Sequence, residues 1–423
     1  MNMLIIADDL SGAADCAIGF ASAGHRTVVT LDANNDPDAD VIAADTDTRR
    51  LAPAEAGRRT VAAWQALRAP GRRLYKKIDS TLRGNWAFEV AALQPLAGLA
   101  IVAPAFPATG RTVRGVRVFV HGKPLETTDT WSLENAGRPA DVQAMLTEAG
   151  LFTARLDVTA LREGRDRLAA QIATAAERGA QALVVDAETT EDLRAIAQVT
   201  TRADGALFWV GSGGLARELA SLPELFEAKP RLERPAYAMP ASRHAPVLIL
   251  VGSLSATSER QCAVLRERTH VQELTIPPAV LRRCESHAEW PAWQARIAAT
   301  LGAHRDLLLR IGRDDAFDAA EGVALSSALA ALVKPHFAAL GGLVATGGET
   351  ARAMLSAAGV SSLELLAEIE AGVAVGRPVG AGLEQHLRIV TKAGAFGTDQ
   401  ALLAAWRHFH EGAEAGAVSH DSI

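Results

Sequence analysis

The chain has 423 residues, room for two or three domains with a buried core in each. Apolar residues make up 49% and charged residues 22%, the composition of a soluble globular protein. Lysine and arginine total 43 against 49 aspartate and glutamate, and the net charge of −6 gives no support to nucleic acid as a main partner.

Short apolar runs alternate along the chain with longer segments of helical period. Met3–Ala7 reads as a strand and Gly12–Ala23 as the helix after it. Arg26–Leu31 and Val41–Ala44 read as strands, Ala54–Leu67 as a helix, Leu74–Lys77 as a strand and Trp86–Leu96 as a helix. Strand Ala100–Pro104, helix Arg162–Arg178, strand Ala182–Asp186, helix Thr190–Thr200 and strand Ala206–Val210 complete the first half. The proline-rich, charged stretch Glu227–Pro246 breaks the pattern and reads as a linker. The alternation then restarts with strand Val247–Val251, helix Thr257–Thr269 and strand Val271–Thr275. Helix Trp290–Leu301, strand Asp306–Ile311, helix Glu321–Leu340, strand Gly342–Thr346 and a helix from Thr350 to Ala358 follow. Strand Leu387–Thr391 and helix Asp399–Ala405 end the pattern. Such alternation predicts an α/β protein of two domains, each a mostly parallel sheet flanked by helices. The expected division is 1–228, a linker over 229–245, and 246–423.

The longest strongly apolar stretch, Leu96 to Phe106, carries prolines and is too short to span a bilayer, so no membrane partner is expected. The N-terminus has no basic segment before its first apolar run, so a secretory signal is not expected. Cys16, Cys262 and Cys284 show no metal-type spacing and read as reduced thiols of a cytoplasmic protein.

Polar loops gather on one predicted sheet edge. Asp8 and Asp9 follow the first strand, at the edge where open α/β sheets bind ligands. A carboxylate there can take a proton from a substrate hydroxyl, help hold Mg²⁺, or simply cap the next helix. Asp45–Arg49 follows another strand of the same edge. Lys76–Asn85 packs Lys77, Asp79, Ser80, Thr81, Arg83 and Asn85 into one turn, donors and acceptors suited to a polyhydroxylated anion. Pro104–Arg111 is a rigid loop whose Arg111 could reach an anion. His121–Leu125 reads as the turn of a hairpin, and no Walker A loop occurs in the chain. Gly211–Ala216 matches G-x-G-x-x-A after a strand. With no second strand ending in an acid about 20 residues on, it reads as a tight strand–helix turn rather than a nicotinamide site. His408 and His410 lie two apart on a helix and face different ways, so a metal site there is not expected.

In the second half three glycine-rich turns each follow a strand: Val251–Ser255, Ala345–Thr350 and Lys392–Gly397. Glycine lets the backbone approach closely, and free N–H groups at a helix start attract phosphate oxygens. Three such turns in one domain favour a nucleotide cradle.

The chain resembles the four-carbon acid sugar kinases over essentially its whole length. The resemblance rests on Asp8-Asp9-Leu10-Ser11-Gly12-Ala13, Lys77-Ile78-Asp79-Ser80-Thr81-Leu82-Arg83-Gly84-Asn85 and Pro104–Arg111. In the second half it rests on Gly252-Ser253, Gly347-Gly348-Glu349-Thr350 and the turn from Lys392 to Gly397. It implies a sugar-acid-binding N-terminal domain, a nucleotide-binding C-terminal domain, ligands in the cleft between them, and ATP with Mg²⁺ phosphorylating a terminal hydroxyl. It also allows a homodimer. By motif position, Asp9, Arg49, Lys77, Ile78, Asp79 and Ser80 would hold the substrate, with Arg111 added from the reading of its loop. Asp9 or Asp8 would be the base. Ser253, Ser255, Gly347, Gly348, Glu349, Thr350 and Gly394 would hold ATP, and the metal ligands stay open. The family usually has Thr where Ser11 stands, and Lys-Ser-Gly-Gly-Phe-Gly where this chain has Lys-Ala-Gly-Ala-Phe-Gly. The Lys77–Arg83 motif looks like that of D-threonate or D-erythronate kinases. A 3-oxo-tetronate 4-kinase is the alternative enzyme, and a non-catalytic sugar-acid or nucleotide sensor the alternative of another class.

Overall fold

The computed structural model describes residues 2–34, 36–135, 137–226, 245–253, 255–316, 318, 321–380, 382–383, 386–394 and 396–410. Most of the expected linker, residues 227–244, therefore lies outside the described residues. The chain forms two compact units, Met1–Ala228 and Lys229–Ile423.

In the first unit the strands are β1 (Asn2–Ala7), β2 (Thr27–Thr30), β3 (Val41–Asp45), β4 (Arg72–Lys77) and β5 (Leu99–Ala103). They continue with β6 (Arg111–Arg114), β7 (Arg117–Val120), β8 (Lys123–Pro124), β9 (Thr153–Leu156), β10 (Ala182–Val185) and β11 (Leu207–Gly211). A parallel sheet runs β2-β3-β1-β4-β11-β5-β10-β9. Its central strands are buried on both faces, which is why Met3–Ile6 and Ile101–Ala103 read as unbroken apolar runs. Strands β6, β7 and β8 form a separate antiparallel sheet. The β7–β8 turn carries His121 and Gly122, both at positive φ, as the hairpin reading of that stretch requires.

The second unit holds β12 (Val247–Val251), β13 (Gln272–Ile276), β14 (Leu307–Ile311), β15 (Gly342–Thr346), β16 (Ser362–Glu370), β17 (Val373–Val379) and β18 (Arg388–Lys392). Parallel strands run β13-β14-β12-β15-β18, and β17 and β16 continue the sheet antiparallel. The core is built from Val247, Ile249, Val251, Leu308, Val344 and Val390 of the strands, with Leu265 and Leu402 from the helices over them.

Several expected helices end differently. The segment read as one helix from Arg162 to Arg178 is two, Val158–Arg162 and Arg165–Glu177, split at Gly164 with φ of 120°. The helix expected over Glu321–Leu340 is α-helical over Gly322–Val333 and then 3₁₀ over Lys334–Ala339, because Pro335 lacks the N–H an α-turn needs. This apolar span, Gly322–Ala339, is long and hydrophobic enough to cross a membrane by length and composition. Its Leu325, Leu329, Leu332 and Val333 are nonetheless buried within the unit. The helix expected from Thr350 starts at Gly348.

Candidate functional site

In the first unit the site begins where β1 ends. Asp9 caps the helix Leu10–Ser22, with Oδ1 accepting the Gly12 N–H at 3.0 Å. A carboxylate suits this place because the N-terminal dipole is positive. The parallel pairing of β1 and β3 runs past the strand ends: Thr46 N donates to Ala7 O (2.9 Å) and Thr48 N to Asp8 O (3.1 Å). That continuation carries Arg49 onto both aspartates. Its Nε and Nη2 grip Asp8 Oδ2 and Oδ1 at 2.8 and 3.0 Å, and Nη2 also donates to Asp9 Oδ1 at 2.8 Å. Burial alone would raise the Asp8 pKa, but Arg49, then Lys76 and Lys77, outweigh it and hold the carboxyl below its ordinary value. Burial likewise opposes the Arg49 charge, yet Asp8, Asp9 and Asp79 hold its pKa well above normal.

The two neighbouring aspartates thus differ. Asp8 is 1% exposed and both its oxygens are bonded to Arg49. Asp9 is partly exposed, and among the described residues its Oδ2 has no hydrogen-bond partner.

The loop after β4 supplies the other wall. A Cβ added at Gly12 would lie 3.0 Å from Lys77 Nζ and would collide with Asp9 Oδ1, so Lys77 reaches the same helix start. Ile78 is fully buried and its N–H is bonded to Gly211 O (2.8 Å), leaving only its carbonyl for a ligand. Asp79 accepts from Thr81 N (3.0 Å) and Thr81 Oγ1 (3.1 Å) on one oxygen, and from Arg83 Nε on the other. Burial pushes its pKa up, but Arg83, Arg49 and Lys77 pull it well below the carboxylate range. Ser80 is buried in the same turn. Leu82 and Gly84 both have positive φ, and this tight turn folds Arg83 back onto Asp79. Arg111, at the start of β6, donates to Thr109 O (2.7 Å) and lies in the fields of Asp79 and Asp15.

The structure adds residues to which the sequence reading gives no individual role. Asp15 is one helical turn beyond Ser11, and i,i+4 spacing puts the two on one face. Its Oδ2 would be 2.7 Å from a Cβ at Gly213, so the Gly211–Ala216 turn packs directly behind this helix. Below the loops, Lys76 Nζ and Glu89 Oε2 form an ion pair at 2.9 Å with both side chains fully buried. Lys76 also donates to Lys77 O at 3.0 Å, and Glu89 accepts from Thr48 Oγ1.

In the second unit the three glycine-rich turns follow β12, β15 and β18, which are neighbours in the sheet. Ser255 caps the helix Ala256–Arg268 by accepting from Ser258 N at 3.1 Å, and Ser253 Oγ donates to Ser255 Oγ at 3.1 Å. Gly347 has φ of 99°, a conformation glycine adopts without strain, and its N–H donates to Lys392 O at 2.8 Å. Thr350 is buried, and its Oγ1 shares a hydrogen bond with Ser326 Oγ at 3.2 Å. A Cβ at Gly252 would collide with Thr350 Oγ1, and one at Gly394 would come within 3.0 Å of Ser253 Oγ and 4.0 Å of Gly347 Cα. Gly394 O accepts from Ser258 Oγ at 2.9 Å and Ser255 Oγ at 3.4 Å. Ser253, Gly347 and Gly394 therefore meet, while Gly348 and Glu349 form the first turn of the helix Gly348–Ala357. Such a floor of small residues lies at two helix starts, where free N–H groups favour anions in general. Outside it, His410 pairs with Asp306 (3.0 Å) and stacks on Trp406, a structural role.

Comparisons with known proteins agree with these two halves. Residues 3–219 match the sugar-binding N-terminal domain family and residues 248–402 the nucleotide-binding C-terminal domain family. The chain is 54% identical to D-threonate kinase of Cupriavidus necator, covering 97% of this chain and 99% of that one. It is 28% identical to 3-oxo-tetronate kinase of Methylobacterium radiotolerans, covering 93% and 95%. A crystal structure of a Salmonella typhimurium LT2 protein superposes with a TM-score of 0.78 at 23% identity, over 96% of this chain and 99% of that one; this likeness bears on the fold alone. Since both domain families are matched in this order and the first relative is alike from end to end, the chain belongs to the four-carbon acid sugar kinase family.

Proposed function

We propose that this protein transfers the γ-phosphoryl group of ATP to the 4-hydroxyl of a four-carbon sugar acid, D-threonate first and D-erythronate second, in the cytoplasm. The observation that carries the reading is the cluster of cationic and carboxylate side chains at the strand ends of the first unit, in a chain 54% identical over its length to a D-threonate kinase. Lys77 and Arg111, with the Nη1 donors of Arg49, are suited to the substrate carboxylate. Ser80 and the Ile78 carbonyl are suited to its hydroxyls. Asp79 has both oxygens bonded already, so its part in this reading is to hold the loop in shape. Asp9 receives or orients the 4-hydroxyl proton through Oδ2, and Asp8 fixes Arg49.

Ser253, Ser255, Gly347, Gly348, Glu349, Thr350 and Gly394 form the proposed ATP cradle. Mg²⁺ on the phosphates would neutralise charge as the γ-phosphoryl leaves. Catalysis is then mostly positioning and charge neutralisation. The three free cysteines support a reducing compartment. A homodimer is included because two-fold dimers are the commonest assemblies of soluble homo-oligomers.

The test is ATP consumption by the purified chain with D-threonate, D-erythronate and the 3-oxo acid in turn, the product identified by phosphorus NMR. D-Threonate should give the highest kcat/KM. Preference for the 3-oxo acid would move the protein to the alternative subgroup. Tight binding of D-threonate without turnover of any acid would make it a sensor.

A further inference from the structure

The turn after β18 is organised by a lysine that, among the described residues, has no carboxylate partner. Lys392 is 0% exposed. Its Nζ donates to Ala393 O, Gly394 O and Phe396 O, each at 3.0 Å. An ammonium has three donors, and all three are bonded to carbonyls of one turn. Among the described residues no Asp or Glu forms an ion pair with it within 4.0 Å. Glu370, whose field reaches it, has its own oxygens on Thr398 N and Thr398 Oγ1, both at 2.9 Å. Burial pushes the lysine pKa down to about 8 against the fields of Glu370 and Cys262, as expected for a cation held by dipoles alone.

The oxygens around this ammonium are held from outside as well. Ser258 Oγ and Ser255 Oγ donate to Gly394 O, and Gln261 Nε2 donates to Phe396 O at 3.1 Å. Backbone carbonyls converging on a desolvated cation are the means by which proteins hold potassium. Here the cation is covalently attached to the chain.

We propose that Lys392 is a built-in monovalent cation and a positioning residue of the nucleotide site. Its ammonium draws the carbonyls of residues 393, 394 and 396 inward, which sets Gly394 against Ser253 and Gly347. It also leaves a buried positive charge for which the nucleotide phosphates are the counter-charge. This rests on the reading of the second unit as an ATP site.

The test measures ATP affinity by calorimetry on the full chain, with N-methyl-D-glucamine, potassium or ammonium as the only monovalent cation. D-Threonate affinity and the melting temperature are measured on the same preparations. Wild-type ATP affinity should not depend on which cation is present. Lys392→Ala opens a carbonyl-lined space; its ATP affinity should fall about tenfold or more in N-methyl-D-glucamine, the scale of lost hydrogen bonds to a charged group. Potassium, ammonium or methylammonium should restore several-fold of that. Lys392→Met fills the space without charge and should lose affinity with no rescue. D-Threonate affinity should hold in both.

Native ATP affinity in Lys392→Ala, or a loss that no added cation restores, would overturn the proposal. If Lys392→Ala does not fold, Lys392→Arg decides, because a planar fork cannot serve three carbonyls gathered at one point: unaltered ATP affinity there overturns it too. Absence of ATP binding in the wild-type chain would instead remove the nucleotide reading itself.

Discussion

At the scale of single residues, the proposed roles of the two adjacent aspartates differ, and substitution should tell them apart. Asp9→Asn keeps the helix cap but removes the proton acceptor; kcat should fall about 10²–10⁴-fold with ATP affinity unchanged, as steady-state kinetics and calorimetry would show. Asp8→Asn releases one side of the Arg49 fork, so KM for the acid should rise about tenfold while kcat at saturation changes less. Equal effects on kcat would mean that Asp8 shares the chemistry. Sequence alone puts both residues after the first strand but does not separate them. The difference lies in Arg49, forty residues on, which approaches only because the β1–β3 ladder continues to Thr48. Of the two adjacent glycines, Gly347 is the one to substitute. The positive φ belongs to Gly347, so Gly347→Val strains the backbone itself, whereas Gly348 is the first helical residue. Gly347→Val should weaken ATP binding steeply and leave D-threonate binding intact. Parallel loss of both ligands with a lowered melting temperature would make the turn merely structural.

At the scale of elements, the fully buried Lys76–Glu89 pair joins β4 to the helix Trp86–Ala97 beneath the loops that follow β3 and β4. Glu89→Leu alone strands a buried ammonium and should cost about 3–5 kcal/mol. Lys76→Met with Glu89→Leu should recover most of that stability, yet still raise KM for the acid, because Thr48 and the Lys77 carbonyl lose their anchors. A double variant with native KM would limit the pair to folding. Nothing in the sequence signals this pair, since a lysine in a strand and a glutamate in a first helical turn usually face solvent. The strands that do read correctly are the buried parallel ones, whose apolar runs are bounded by Gly and Asp. The hairpin β16–β17 is not legible in the sequence for a physical reason: its register shifts between Leu365 and Ala367 and again between Glu368 and Glu370. Those bulges break the alternation by which a strand is recognised.

For the whole molecule, the division into Met1–Ala228 and Lys229–Ile423 supports a separation of ligands between units. A fragment of residues 245–423 is expected to bind ATP weakly and D-threonate not at all. Calorimetric binding of D-threonate to that fragment would refute the division. The order of strands has a further consequence, for synthesis. The turns that meet at Gly394 follow β12, β15 and β18, adjacent in the sheet but spread over nearly the whole unit. The first unit is similar, because β11 inserts between β4 and β5. A growing chain on the ribosome thus completes the loops of the first unit once β11 has emerged, but the nucleotide turns only with β18, so ATP cannot steer the folding of the second unit while it emerges. Chains arrested at Glu370 should be cut by protease equally fast with and without ATP. The released full-length chain should gain protection, since ligand stabilises only a state that can bind it.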